Sequence, residues 1–287
     1  MSVAKTTGLT SLRGPLLYAV AVMFGVLIDV IVKELSARHE TATIFFARCA
    51  GALIVLLALH YRDLGTFKTQ KLRFHLLRGA LSNIGVLLFF YSLGELPLVL
   101  AYVIAMSAPL MMTAMAGIIL REATGRAAWI KVCIGFTGIL ISVAPQLFDS
   151  NAGSLIGLAA CIAGTVGYAA AALAIRPLTT TESSGAIALY PILMGAVLAG
   201  LYVIPKAAGL PTGIDLGLML ALGLCSAMAN LLIAKAFSLA PVARLAPLEY
   251  TALIWGVVVG FTWFDEIPTP WVLIGAGVVV WATLKKG

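Results

Sequence analysis

The feature that most narrows what this chain can become is its succession of ten unbroken apolar runs with short connections. They lie at about 14–37, 41–60, 72–93, 97–120, 127–148, 153–175, 184–205, 213–239, 242–263 and 268–284. A helix needs about 20 residues to cross roughly 30 Å of hydrocarbon, and each run is close to that length. Inside hydrocarbon the backbone must satisfy its own hydrogen bonds, which leaves helices and closed barrels. A barrel would alternate polarity over segments of about 10 residues, and these runs do not alternate. Charged residues are 11% of the chain and hydrophobic ones 61%, where soluble domains carry about a quarter charged. The expected fold is therefore all-α, a polytopic membrane protein of ten transmembrane helices. No connection is long enough for a separate soluble domain, the polar segment 62–73 included.

The formal charge of +7 has to be placed before it is interpreted. Twelve of the 19 cations fall at one set of alternate span ends, among them Arg62, Lys68, Lys71, Arg73, Arg121, Arg126 and Lys131. Three, Lys33, Arg38 and Lys206, fall at the other set, and Arg48, Arg78, Lys235 and Arg244 lie within spans. The excess of basic residues on cytoplasmic loops then puts both termini in the cytoplasm. The lipid bilayer accounts for the basic balance, so no nucleic-acid partner is expected. Cys49, Cys133, Cys161 and Cys225 lie in apolar runs without CxxC spacing and read as small core residues. His39, His60 and His75 sit at span ends, and neither HExxH nor a GxSG serine with a buried histidine is present. An enzyme, a metal site and a cofactor are accordingly not expected.

The chain is written twice. The stretch Asn83–Glu122 is restated as Asn230–Glu266, with Phe237-Ser238-Leu239 for Tyr91-Ser92-Leu93. Gly14 and Gly25 match Gly153 and Gly164, and Gly135 matches Gly275. A unit with an odd number of spans inverts its copy across the membrane. The expected organisation is two inverted five-helix repeats, 1–150 and 151–287, with a midplane cavity between them and alternating access by rocking of one against the other.

The doubled signature, a Ser-Leu turn followed about thirty residues later by an acid at the end of the next span (Ser92 to Glu122, Ser238 to Glu266), resembles the drug/metabolite transporter superfamily, in particular its ten-helix EamA-type members. Arg48 in FFARCAGALIVL resembles the arginine of that family's second span. Within the superfamily the pattern is most similar to YddG-type bacterial amino-acid exporters. The resemblance implies export of small amphipathic metabolites, foremost neutral or aromatic amino acids. Drug-like organic cations are the alternative cargo, and a channel or structural bundle the alternative class. One departure is Pro109, whose counterpart before Glu266 is Leu253.

Depth along each helix, at about 1.5 Å per residue, sorts the candidate residues. Asn83 and Asn230 fall near the midplane, where they either line the cavity or tie helices together. Pro109 reaches a similar level, and the carbonyl it frees would add an acceptor near Ser107. Tyr102, Tyr168, Tyr250 and Trp255 lie away from span ends and offer apolar area and ring faces to a substrate. Asp29 and Arg48 come to similar depths on the outer side, as a gate or a static brace. Arg78 and Glu249 do so on the inner side, where a short carboxylate needs a cation, water or a proton. Lys235 and Arg244 can snorkel. Glu122 and Glu266 mark helix ends, and the glycines of spans five and ten (Gly135, Gly138, Gly275, Gly277) suggest peripheral packing or a homodimer contact.

Overall fold

Broken helices in an apolar environment leave polar backbone groups that must find partners, and the breaks in this chain organise its fold. The computed structural model describes residues 8–118, 125–148, 154–174, 182–206, 211, 213–239 and 245–284. Glu122 and Arg244 lie outside the described residues. In chain order the α-helices are α1 (Gly8–Ser36), α2 (Thr41–Leu59), α3 (Leu72–Glu95), α4 (Leu98–Ala105), α5 (Ala108–Ile118), α6 (Arg126–Phe148), α7 (Leu155–Ala174), α8 (Ser184–Val203), α9 (Gly213–Leu239), α10 (Thr251–Phe264) and α11 (Pro270–Leu284). Short 3₁₀ turns occupy Leu64–Phe67, Ile204–Lys206 and Ala246–Tyr250. Eight segments are long and apolar enough to cross a membrane, with α4 and α5 acting as one, and Leu248–Phe264 and Pro270–Thr283 are apolar but shorter.

The fourth apolar run, expected as one helix, is two. Pro109 has no N–H, so the carbonyl four residues earlier loses its helical donor, and the helix ends at Ala105. The Ser107 hydroxyl then donates to the Ile104 carbonyl at 2.5 Å, and the Ser107 N–H does so at 3.1 Å. The ninth run enters through the 3₁₀ turn Ala246–Tyr250, which carries Pro247. Each residue from Leu98 to Ile104 is buried, which makes α4 an internal helix rather than a lipid-facing one. Its pure Leu-Val-Leu-Ala-Tyr-Val-Ile sequence suits that enclosure.

The most extensive pairings are α3 on α7, α1 on α9 and α6 on α11, followed by α2 on α9 and α8. Stretches before and after residue 150 thus interleave instead of forming separate bodies. The α2–α9 crossing is backbone against backbone: a Cβ on Gly223 would lie 2.6 Å from the Gly51 Cα. A Cβ on Gly85 would lie 2.9 Å from the Tyr168 backbone nitrogen, which sets the α3–α7 crossing. Gly138 and Gly275 are consumed in the same way by the α6–α11 contact, where a Gly275 Cβ would meet the Gly138 carbonyl at 2.4 Å. These two glycines serve packing within the chain, so the homodimer contact expected of them is not available at those positions.

Introducing leucine at Gly223 should separate α2 from α9. Overpacking of this kind costs about 1–3 kcal/mol or more, so the expected outcome is a lower thermal midpoint in detergent and reduced monodisperse yield; Gly277→Ala, where a Cβ meets nothing within 4 Å, should be neutral in the same assay.

Candidate functional site

At the C-terminal end of α1, Lys33 turns inward. Its ammonium donates to the Leu93 carbonyl at 3.0 Å and the Leu96 carbonyl at 2.6 Å, and pairs with the Glu266 carboxylate at 2.9 Å. The other Glu266 oxygen accepts the Leu98 backbone N–H at 2.8 Å. One ion pair therefore closes two helix ends, satisfying carbonyls at the end of α3 and a donor at the start of α4. Side-chain exposures of 12% and 19% place the pair inside the protein edge. Glu266 is aimed there by the turn that ends α10, where Asp265 adopts φ 53° and the Glu266 N–H bonds to the Gly260 carbonyl at 2.8 Å. On the same face, Asp215 of α9 pairs with Arg38 at 3.1 Å and His39 at 2.7 Å.

One turn deeper on α1 lies Asp29, whose carboxylate faces the Tyr102 hydroxyl of α4 and the field of Arg48. No ion pair within 4 Å involves Asp29 among the described residues. The Tyr102 hydroxyl is buried without a formed hydrogen bond, and its ring packs on Gly256 of α10, where a Cβ would come within 2.6 Å. Arg48 donates to the Ser226 hydroxyl at 3.1 Å and lies 5.6 Å from the Phe90 ring centroid. The sequence expectation of an Asp29–Arg48 pair becomes a looser group in which Tyr102 is the nearer partner of Asp29.

Toward the other end of α1, Tyr18 donates to the Glu249 carboxylate at 2.5 Å. Tyr168 of α7 stands in the field of the same carboxylate and of Tyr18. Tyr168 keeps about half of its surface exposed beside these groups. Arg78 does not join Glu249. It donates to the Ile187 carbonyl at 2.7 Å, which is the carbonyl that Pro191 leaves free four residues on. Asn83 donates to the Pro191 carbonyl at 3.0 Å. Both side chains therefore repair or buttress the proline in α8.

The Asn230 amide donates to the Ser226 carbonyl of its own helix at 2.8 Å. Asn230 borders a largely apolar cavity of about 210 Å³ between α2, α8 and α9 that also touches His60. Drug-sized ligands occupy about 300–1,000 Å³, so this cavity in its described state is too small for one. Tyr250 ends the 3₁₀ turn beside Glu249, and Trp255 is partly exposed on α10. Ser107 is buried and spent on the α4–α5 break. Lys33, Tyr18 and Ser226 were not singled out as site residues by sequence reasoning. Lys33 had a legible signal, since the short Gly-Glu-Leu-Pro link after span three leaves carbonyls in need of a donor.

Comparison with known proteins bears on this geometry. Residues 12–144 match the EamA-like transporter family. Over most of the chain the sequence is similar to an S-adenosylmethionine uptake transporter of Rickettsia bellii, 29% identical over 89% of this chain and 87% of that one. It is also similar to a riboflavin transporter of Vibrio cholerae, 28% identical over 84% and 80%, and to a pseudopaline exporter of Pseudomonas aeruginosa, 25% identical over 96% and 97%. A solved crystal structure superposes with a TM-score of 0.65 at 16% identity, covering 94% of this chain and 96% of that one, which shows the shared fold. The relatives named are bacterial transporters.

Replacing Lys33 with Met removes the ion pair and two carbonyl partners together. Stranding a mostly buried carboxylate and helix-end carbonyls costs roughly 2–4 kcal/mol. The thermal midpoint of Lys33→Met should fall well below wild type, and Lys33→Met with Glu266→Gln should lose less than the sum of the single changes, as a coupled pair requires.

Proposed function

We propose that this chain is an EamA-type solute carrier that moves small amphipathic metabolites across a bacterial inner membrane by alternating access, with residues 1–150 and 151–287 as inverted halves and both termini cytoplasmic. The observation that carries the reading is where the polar contacts run. Among the described residues, every ion pair between separate elements joins a residue of the first half to one of the second. The helix pairing supports it as well: exchanging spans one to five with six to ten converts the α3–α7 pairing into the α1–α9 pairing and returns α6–α11 to itself. In the alternating access we propose, these interleaved halves trade part of their mutual contacts for the mirror set.

The cargo class is read from the site and from the relatives. S-adenosylmethionine carries an amino-acid zwitterion, a fixed cation and a flat heteroaromatic ring, and riboflavin a larger flat ring system. Tyr168, Tyr250 and Trp255 give ring faces for such planes, and Glu249 gives a carboxylate for a cationic group. We take the cargo to be metabolites of this kind, with Asn83 and Asn230 beside the path. Free neutral or aromatic amino acids, the cargo suggested by the sequence pattern, are the smallest members of the class. Relatives named for uptake and for export leave the direction of net transport to the gradients.

Liposomes holding the purified chain should take up labelled S-adenosylmethionine with saturation and with acceleration by unlabelled solute inside. Riboflavin, aromatic amino acids and tetraphenylphosphonium complete the panel. Linear uptake without trans-acceleration would identify a channel, and no uptake across the panel would overturn the carrier reading. Glu249→Gln should lower uptake of cationic members of the panel at least tenfold while sparing riboflavin.

A further inference from the structure

We propose that Asp29 is a proton-binding station of the transport cycle, built against the Tyr102 hydroxyl, and that it is the first-half counterpart of the Tyr168–Glu249 group in the second half. The pairing of the two groups rests on the inverted-repeat carrier reading; the Asp29 station itself rests on its own geometry.

The register of the repeat supplies the correspondence. With Gly25 matched to Gly164, Asp29 on α1 falls on Tyr168 of α7. Counted from Ser92-Leu93 and Ser238-Leu239, Tyr102 of α4 falls on Leu248, next to Glu249. Each half then joins a carboxylate and a phenol across its first and fourth spans, with the two side-chain types exchanged. The electrostatic neighbours agree, since Asp29 faces Tyr102 and Glu249 faces Tyr168. α1 contributes to both groups, Asp29 to one and Tyr18 to the other, and those residues are about 16 Å apart along the helix. The stations therefore lie toward opposite membrane faces.

The surroundings of Asp29 select a proton over an organic cation. The α4 wall beside Asp29, from Leu98 to Ile104, is buried throughout, and the Arg48 guanidinium in whose field the carboxylate lies would repel an organic cation. The titratable and charged groups facing Asp29 among the described residues are Tyr102 from α4 and Arg48 from α2. Arg48 is engaged by Ser226 and Phe90 and stays beyond ion-pair distance. A carboxylate this deep is neutralised by a direct counter-ion or by a proton. The unpartnered Tyr102 hydroxyl is the donor that the ionised form would recruit. Glu249 is faced by Tyr18 from α1 and Tyr168 from α7, with Tyr250 adjacent and Lys235 on α9 at the same end. One proton enters from water onto the Asp29 carboxylate when the Lys33–Glu266 face opens, and the same proton leaves to water when that access changes.

The test uses the full chain in nanodiscs. The acid-minus-alkaline infrared difference spectrum should contain the carbonyl stretch of a protonated carboxyl that is lost in Asp29→Asn, while a separate component is lost in Glu249→Gln. Tyr102→Phe should move the Asp29 band without removing it, and this variant keeps the test alive should Asp29→Asn not fold. In liposomes, a pH gradient of one unit is worth tenfold in solute ratio at one proton per solute. Asp29→Asn should abolish that tenfold accumulation while counterflow at equal pH persists. An Asp29→Asn spectrum superposable on wild type, or gradient-driven accumulation that survives the substitution, overturns the proposal. A wild type that moves no solute overturns the carrier reading instead, and the infrared band still reads Asp29 by itself.

Discussion

Inside a bilayer a backbone carbonyl or N–H that leaves its helix has no water to turn to, and this constraint accounts for most of the polar side chains within the protein. Pro191 frees the Ile187 carbonyl, and Arg78 takes it. The end of α3 and the start of α4 leave carbonyls and an N–H, and Lys33 and Glu266 take them. The α4–α5 break leaves the Ile104 carbonyl to the Ser107 hydroxyl. Charge in the membrane is tolerated here because it completes a broken helix. Much of it is consequently unavailable to a solute.

Once those repairs are set aside, few ionisable groups remain. Asp29 and Glu249 are carboxylates that no basic side chain pairs within 4 Å among the described residues, and both are met by tyrosines. The proton and cation chemistry we propose is assigned to those two places. The Lys33–Glu266 pair differs in kind, because it links the two halves across one face while also capping helices that must stay capped. Under the alternating access we propose, opening that face needs substitute partners for the Leu93, Leu96 and Leu98 backbone groups, which water entering the opened side would supply.

Eight spans and two shorter apolar helices stand where the sequence places ten spans, because apolar length is decided locally, and the limits of α2, α3, α6 and α9 fall within two residues of those read from it. The interruption of the fourth run was foreshadowed by Pro109, although its position three residues earlier depended on where Ser107 could cap. What the sequence could not supply was partnership. Arg78 and Glu249 come to equal depths on their helices and yet face different neighbours, since rotation about the helix axis is fixed by the crossings at Gly51, Gly223 and Gly85. Lys33 reads from the sequence as a span-end cation because its position near a helix end is compatible with either face. Only the packed bundle turns it inward.

In the transport cycle we propose, the face closed by Lys33 and Glu266 opens and shuts as the two halves exchange contacts. Double electron–electron resonance between spin labels at Glu95 and Ile267, both exposed beside the pair, in a background with the four cysteines replaced, reads that motion directly. The resting protein should give a single short distance, and a second, longer population should appear when Lys33 is changed to Met or when solute is present. One unchanged distance under all three conditions would contradict this cycle.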